Sequence, residues 1–325
     1  MIISKTPYRV DLVGDGTDIG SFCERERGCI INAAIKKYIY VIVHPSSDKN
    51  IRIICDNKIE NVTNPHLIKN GRVREAMKIA GICEGIEIYS IAEVNSGTGL
   101  GGSSSFTVGV LNALHNYKGN SVNLEKLAEE ASEIEIDILK EPIGRQDQYV
   151  AALGGLNKME FINKKVIVSP LTEEKNMIDY IEKNMMMFYL GGQRQTSSIL
   201  KEQDKEMRTN PRVFNSMVDM RNLADYISKK IKLGRGEEFG KILNENWVIK
   251  KELISSINNP FIEKYHRLAM ELGAEGAKLS GAGGVGFLLI YIDYKKQEAI
   301  RNAFCDLEEY KFKFENRGSR IIYNN

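Results

Sequence analysis

Apolar positions follow two rhythms along this chain. Residues 2–13 read as a strand entering a glycine-rich turn, Gly14-Asp-Gly-Thr-Asp18, and residues 29–45 and 51–56 are strand-like runs rich in Ile and Val. The spacing predicts a helix over about 65–80, a strand over 86–94 and a helix over 103–116. A further helix over 123–139 takes Asn123 as N-cap, and Pro142 and Gly144 break it. Strands are expected near 157–168. Helical periodicity then covers roughly 196–208, 212–232, 237–257 and 261–272, before a strand at 287–292. Strands dominate early and helices late, an α+β class rather than a βαβ alternation, with a boundary near residue 170 that divides 1–170 from 171–325.

Composition narrows the class without naming a chemistry. A chain of 325 residues, 42% hydrophobic and 27% charged, has the balance of a globular protein with room for two domains. A net charge of +2 supplies no broad basic field, so no nucleic-acid partner is expected. The absence of an apolar run of about 18 residues predicts no membrane span, and the first residues lack the order of a signal peptide. Cys23, Cys29, Cys55, Cys83 and Cys305 are scattered with no C-x-x-C pair, which favours reduced thiols and a cytoplasmic location. With four histidines and no H-E-x-x-H, a zinc site is not expected. The sequence leaves a homodimer open.

The chemistry begins at Asn95-Ser-Gly-Thr-Gly-Leu-Gly-Gly-Ser-Ser-Ser-Phe106, between a strand-like and a helix-like run. Glycines bring backbone N–H groups close to a ligand, and the following helix start adds unpaired donors and partial positive charge. Together they form a phosphate cradle. Gly97, Gly99 and Gly102 match G-x-G-x-x-G, as do Gly281, Gly283 and Gly286. A dinucleotide fold needs an acid about 20 residues on at the end of the next strand; Glu125, at that distance, opens a helix instead, and the second loop leads into a strand. No lysine completes a Walker loop, and neither D-F-G nor H-R-D occurs. Ser103, Ser104 and Ser105 suit triphosphate and Mg²⁺, or simple capping of the helix.

Phosphoryl transfer also needs carboxylates. At about 100° per residue, Leu124, Leu127, Ala128, Ala131, Ile134, Ile138 and Leu139 fall within an arc of about 140°. Glu135 falls inside that arc. Its burial calls for a partner, either a metal or a salt bridge to Arg or Lys. Asp147, in Ile143-Gly-Arg-Gln-Asp-Gln-Tyr149, is expected in a short polar loop where it meets a substrate or caps the next segment, and Arg145 pairs with it or with a substrate phosphate.

Three blocks then carry a resemblance: Thr6-Pro-Tyr-Arg-Val with Gly14–Asp18, Gly97–Ser105, and Lys278-Leu-Ser-Gly-Ala-Gly-Gly-Val-Gly286. In order and spacing the chain resembles the GHMP kinases. Within them, Pro142–Tyr149 and Leu190-Gly-Gly-Gln-Arg-Gln-Thr-Ser-Ser-Ile-Leu200 are most similar to the bacterial D-glycero-D-manno-heptose 7-phosphate kinases, although Asp15 and Gly102 stand where glycine and serine are usual. The resemblance implies an N-terminal domain like ribosomal protein S5 domain 2 and a C-terminal ferredoxin-like domain. It places ATP on Gly97, Gly99, Leu100, Gly101, Gly102, Ser103, Ser104 and Ser105, and Mg²⁺ on Ser103 and Glu135, with Ser104 competing for the first place. Asp147 resembles the catalytic carboxylate, and Arg9 the cation beside it. Gly16, Thr17 and Asp18 would bind the sugar, and Gly281, Gly283 and Gly284 would close near phosphates and acceptor. The implied reaction phosphorylates the anomeric C1 hydroxyl of heptose 7-phosphate, for nucleotide-activated heptose and surface polysaccharide. A distal phosphate then asks for a basic subsite, for which Arg145, Arg194 and Lys278 are candidates. The rivals are another sugar-1-kinase and a non-catalytic nucleotide- or sugar-binding regulator on the same fold.

Overall fold

The computed structural model describes residues 1–171, 175–192, 196–284 and 286–325. Its first sheet is built around one long strand. β1 (Ile2–Val13) pairs antiparallel with β2 (Gly28–Pro45) over nearly its whole length. Along its other edge β2 pairs with β5 (Ile86–Ala92) towards its end and with β6 (Leu156–Ile162) towards its start. β3 (Ile51–Cys55) and β4 (Lys58–Val62) extend the sheet beyond β5, and β7 (Lys165–Pro170) pairs with β6. The last strand of the chain, β12 (Arg320–Asn324), returns to the free edge of β1. The β1–β2 register shifts between Pro7 and Tyr8. Pro7 has no N–H to give the ladder, and the irregularity re-aims the strand immediately before Arg9.

The helices of this half are α1 (Gly20–Cys23), α2 (Gly71–Ala80), α3 (Gly102–Tyr117), α4 (Leu124–Ser132) and α5 (Gln146–Leu153). α3 is buried from Ser104 to His115, so packing fixes the helix while its first residues, Gly102 and Ser103, open onto the cavity. In the second half, α6 (Lys175–Lys183) leads to β8 (Met185–Tyr189). Then follow α7 (Thr196–Thr209), α8 (Pro211–Lys232), α9 (Phe239–Lys251) and α10 (Pro260–Glu271). β9 (Gly276–Leu279), β10 (Phe287–Tyr291), α11 (Gln297–Ala303) and the short β11 (Glu308–Glu309) complete it. The second sheet is antiparallel in the order β11-β8-β10-β9. Of the two hydrophobic clusters, one spans the first sheet and reaches one face of the second through Met185, Met187, Phe287 and Leu289, and the other packs on that sheet's opposite face at Met186, Phe188, Leu288 and Ile290.

The expected 123–139 helix is the main departure. α4 ends at Ser132, and residues Glu133–Ile138 form a π-helical turn. The wider turn shifts the face: Glu135 is wholly buried as the arc predicts, but Ile138 is exposed rather than apolar core. Such turns recur at functional sites. Asn123 caps α4 as expected, accepting from the Lys126 N–H.

Candidate active site

Asp147 lies on the first turn of α5, not in a loop. Its carboxylate receives a two-pronged bond from Arg9, Nε to Oδ1 at 2.7 Å and Nη2 to Oδ2 at 2.8 Å. Arg9 Nη1 donates to the Gly99 carbonyl at 2.5 Å, and its backbone N–H to Leu100 at 3.1 Å. One β1 side chain thus ties the glycine loop to the carboxylate. Bidentate, charge-assisted bonds of this kind fix orientation as well as charge.

The turn after β1 forms another side of the cavity. Asp18 lines the cavity and accepts from the Gln146 N–H at 3.0 Å. A Cβ on Gly144 would stand 1.9 Å from Asp18 Oδ2, so this approach requires glycine. Burial, with the nearby Asp147 and Asp11 charges, pushes the Asp18 carboxyl up to about 7 despite the Gln146 bond. Asp11 is buried 3.3 Å from Arg9 Nε, and burial pushes it up to about 6 against the pull of Arg9. Asp15 is bound by Lys250, by Lys278 at 2.7 Å and by Asn246 at 3.1 Å. Burial opposes its ionisation, but the two lysines outweigh that and hold it well below the usual carboxylate range.

Several expected acceptor residues do other work. The Thr17 hydroxyl is spent inside the turn, between the Gly14 and Cys29 carbonyls at 2.8 and 3.0 Å, and does not reach the cavity. Lys278 is fully buried on Asp15 and cannot meet a substrate phosphate. Arg145 pairs with Asp137 at 3.3 Å and is absent from the cavity wall. Arg194 lies outside the described residues. Gly16 and Gly281 line the cavity, whereas Gly283 and Gly284 press on Ile257 and hold the loop from behind.

The two glycine loops meet back to back. A Cβ on Gly281 would lie 2.7 Å from Gly99 Cα, and one on Gly99 would lie 2.7 Å from the Ser280 carbonyl. Gly101, in the left-handed region at φ 72°, is the N-cap of α3. The three serines then diverge. Ser103 is exposed towards the cavity, Ser104 is buried and donates to Glu135 Oε2 at 2.7 Å, and Ser105 donates to Pro7 O at 2.8 Å. Ser104, not Ser103, is therefore the hydroxyl beside Glu135. Glu135 also receives Gln148 at 2.6 Å, Arg72 Nε at 2.8 Å and Thr107 at 2.9 Å. A carboxylate has about four acceptor positions; Ser104, Gln148 and Arg72 fill three, and Thr107, whose one proton also reaches the Ser103 carbonyl at 3.1 Å, faces the fourth. As arranged, Glu135 has no open position for Mg²⁺, and the Ser103–Glu135 pair does not fit the ion.

These groups surround a cavity of about 630 Å³. Arg9, Asp15, Asp18, Asp147 and Lys250 line one part, and Gly97, Gly99, Gly101, Gly102, Ser103 and Arg72 line another. Sequence reasoning missed Arg72 and Lys250. Neither stands out among the other basic residues of its helix (Arg74 and Lys78 beside Arg72, Lys251 beside Lys250), and only tertiary packing brings them here.

A family model described as "GHMP kinases N terminal domain" matches residues 66–155, and "GHMP kinases C terminal" matches 227–309. A D-glycero-alpha-D-manno-heptose 7-phosphate kinase of Campylobacter jejuni is 30% identical, over 96% of each chain. The chain belongs to the GHMP kinases. A galactokinase of Pyrococcus furiosus is 25% identical over 96% of this GHMP kinase and 94% of its own length. Solved structures share the fold. A D-glycero-D-manno-heptose 1-phosphate kinase of Bacteroides thetaiotaomicron has a TM-score of 0.83 at 24% identity, covering all of both chains. A Lactococcus lactis galactokinase complexed with galactose has a TM-score of 0.80 at 18% identity, over 98% of this chain and 94% of its own. GHMP kinases use ATP, and the start of α3, an anion-favouring helix N-terminus, lines the cavity. No helix among the described residues of this GHMP kinase is long and apolar enough to cross a membrane.

Proposed function

We propose that this GHMP kinase transfers the γ-phosphoryl group of ATP to the anomeric C1 hydroxyl of D-glycero-D-manno-heptose 7-phosphate. The product is the 1,7-bisphosphate, a precursor for nucleotide-activated heptose and surface polysaccharide. The observation that carries this reading is the Arg9–Asp147 pair, set where the glycine loop meets a carboxylate-lined pocket. The 30% identical relative supports the choice of acceptor.

The acceptor oxygen bonds to the γ-phosphorus as the bond to ADP breaks, and the hydroxyl proton leaves towards Asp147. Arg9 uses two of the carboxylate's acceptor positions, and the others remain for the hydroxyl. Positioning and charge stabilisation do most of the work in such a transfer. Arg9 supplies positive charge beside the transferred group, and Asp18 accepts from ring hydroxyls. The α3 N-terminus and loop N–H groups hold the phosphates. Mg²⁺ is expected to enter with ATP, and the filled Glu135 carboxylate does not hold it.

A specific observation favours a second reading, a kinase of an unphosphorylated sugar. Lys278 and Arg145, expected to meet a distal phosphate, are both committed to carboxylates elsewhere. ADP release with heptose 7-phosphate, sedoheptulose 7-phosphate, mannose, galactose and fucose decides. Turnover confined to heptose 7-phosphate is the expected result; turnover with a free sugar moves the assignment to the second reading. Nucleotide binding without turnover of any of these sugars overturns the heptose reading and points to the regulator or to an acceptor outside the panel.

A further inference from the structure

The side chain of Arg72 stands on the first turn of α2, just beyond the N-cap Asn70. Nε donates to Glu135 Oε1 at 2.8 Å, and Nη2 to Glu141 Oε2 at 2.7 Å. Among the described residues Nη1 has no partner. The side chain is 25% exposed and lines the cavity with the glycine loop and Ser103. Glu135 is 0% exposed, and one of its oxygens binds Ser104 in the first turn of α3. Arg72 is therefore joined through a single carboxylate to the helix start that forms the phosphate cradle.

We propose that Arg72 is a phosphate-binding residue of the nucleotide site and that Glu135 is its positioning residue rather than a metal ligand. This rests on the kinase reading above. A guanidinium fixed through two of its nitrogens keeps the third edge preorganised, and its planar fork matches phosphate oxygens. Its fixed orientation lowers the ordering needed when a ligand arrives. A divalent ion on Glu135 would instead displace one of four donors at 2.6–2.9 Å from a site closed to solvent.

The test compares a non-hydrolysable ATP analogue with AMP, which lacks the terminal phosphates, by calorimetry on the full chain. In Arg72→Gln the analogue is expected to bind at least about tenfold more weakly while AMP stays within about twofold, and Arg72→Lys recovers part of the loss. Equal weakening of both nucleotides would reduce Arg72 to a structural role, and no change in either would remove it from the site. Mn²⁺ binding to the enzyme–analogue complex, followed by electron paramagnetic resonance, is expected within about twofold of wild type in Glu135→Gln. A tenfold or greater loss of Mn²⁺ would make Glu135 a metal ligand and overturn the proposal. If Glu135→Gln does not fold, the Arg72 comparison decides alone. Failure of the wild-type chain to bind the analogue would instead bring down the kinase reading itself.

Discussion

Two arginine–carboxylate pairs flank one glycine loop, and they are built in opposite senses. In Arg9–Asp147 the arginine is buried, at 6% exposure, and the carboxylate opens to the cavity at 20%. In Arg72–Glu135 the carboxylate is sealed at 0% and the arginine opens at 25%. The buried member of each pair is held by other protein groups: Arg9 by the Gly99 carbonyl, Glu135 by Ser104, Thr107 and Gln148. The open member is the one left to meet a ligand. On the proposed reading, one pair presents negative charge to an acceptor hydroxyl and the other positive charge to phosphate. The lesson is that an ion pair in an active site is read from which partner faces the ligand, not from its residue types.

The sharpest way to break this comparison is to remove each carboxylate. Glu135→Ala strands four donors in a closed site, and an unfolding loss of about 3–5 kcal/mol is expected in urea titrations. A loss below about 1 kcal/mol would mean that Glu135 is not the sealed member of its pair. Asp147→Asn keeps shape and exposes its change to solvent, so its expected effect is on rate. We expect kcat to fall at least about 100-fold, close to 2.7 kcal/mol of barrier, with ATP-analogue affinity retained. Near-normal turnover would remove Asp147 from the chemistry.

How legible the site was differs along the same line. Asp147, Arg9 and the glycine loop belong to contiguous motifs, and the structure brings them together as the sequence led one to expect. The burial of Glu135 followed from helical periodicity, although the π turn that completes it did not, because a one-residue change of hydrogen-bond register leaves no mark on composition. The bland reading of Glu135, a salt bridge to arginine, is the arrangement observed. Which arginine was invisible, since Arg72 lies 63 residues away and meets Glu135 only through packing of α2 on α3 and the π turn. The same limit explains Lys278: beside a glycine loop it resembles a phosphate ligand, but Asp15, far away in sequence, claims it. Among the strands, β4, β8, β9, β11 and β12 went unread because they are short or lack a clear alternation.

The smallest effect concerns pH, and it separates the acceptor pocket from both arginine pairs. Asp18 at about 7 and Asp11 at about 6 both lie above an ordinary carboxyl value of 3.8. Between roughly pH 4 and pH 7 the folded chain therefore holds protons that the unfolded chain has released. Their contribution is fully present below pH 4 and is lost as pH rises through 6 and 7, so stability falls with rising pH in that window. Asp15 has the opposite sign: its contribution is present above its unfolded value and is lost only as pH falls well below it. Asp18→Asn keeps an oxygen for the Gln146 N–H and removes the titration. The decline in urea midpoint between pH 5 and pH 7.5 is expected to be shallower in the variant than in wild type. An unchanged decline would mean that Asp18 is ionised throughout that range, and the acceptor pocket would then carry one more fixed negative charge than the buried geometry supports.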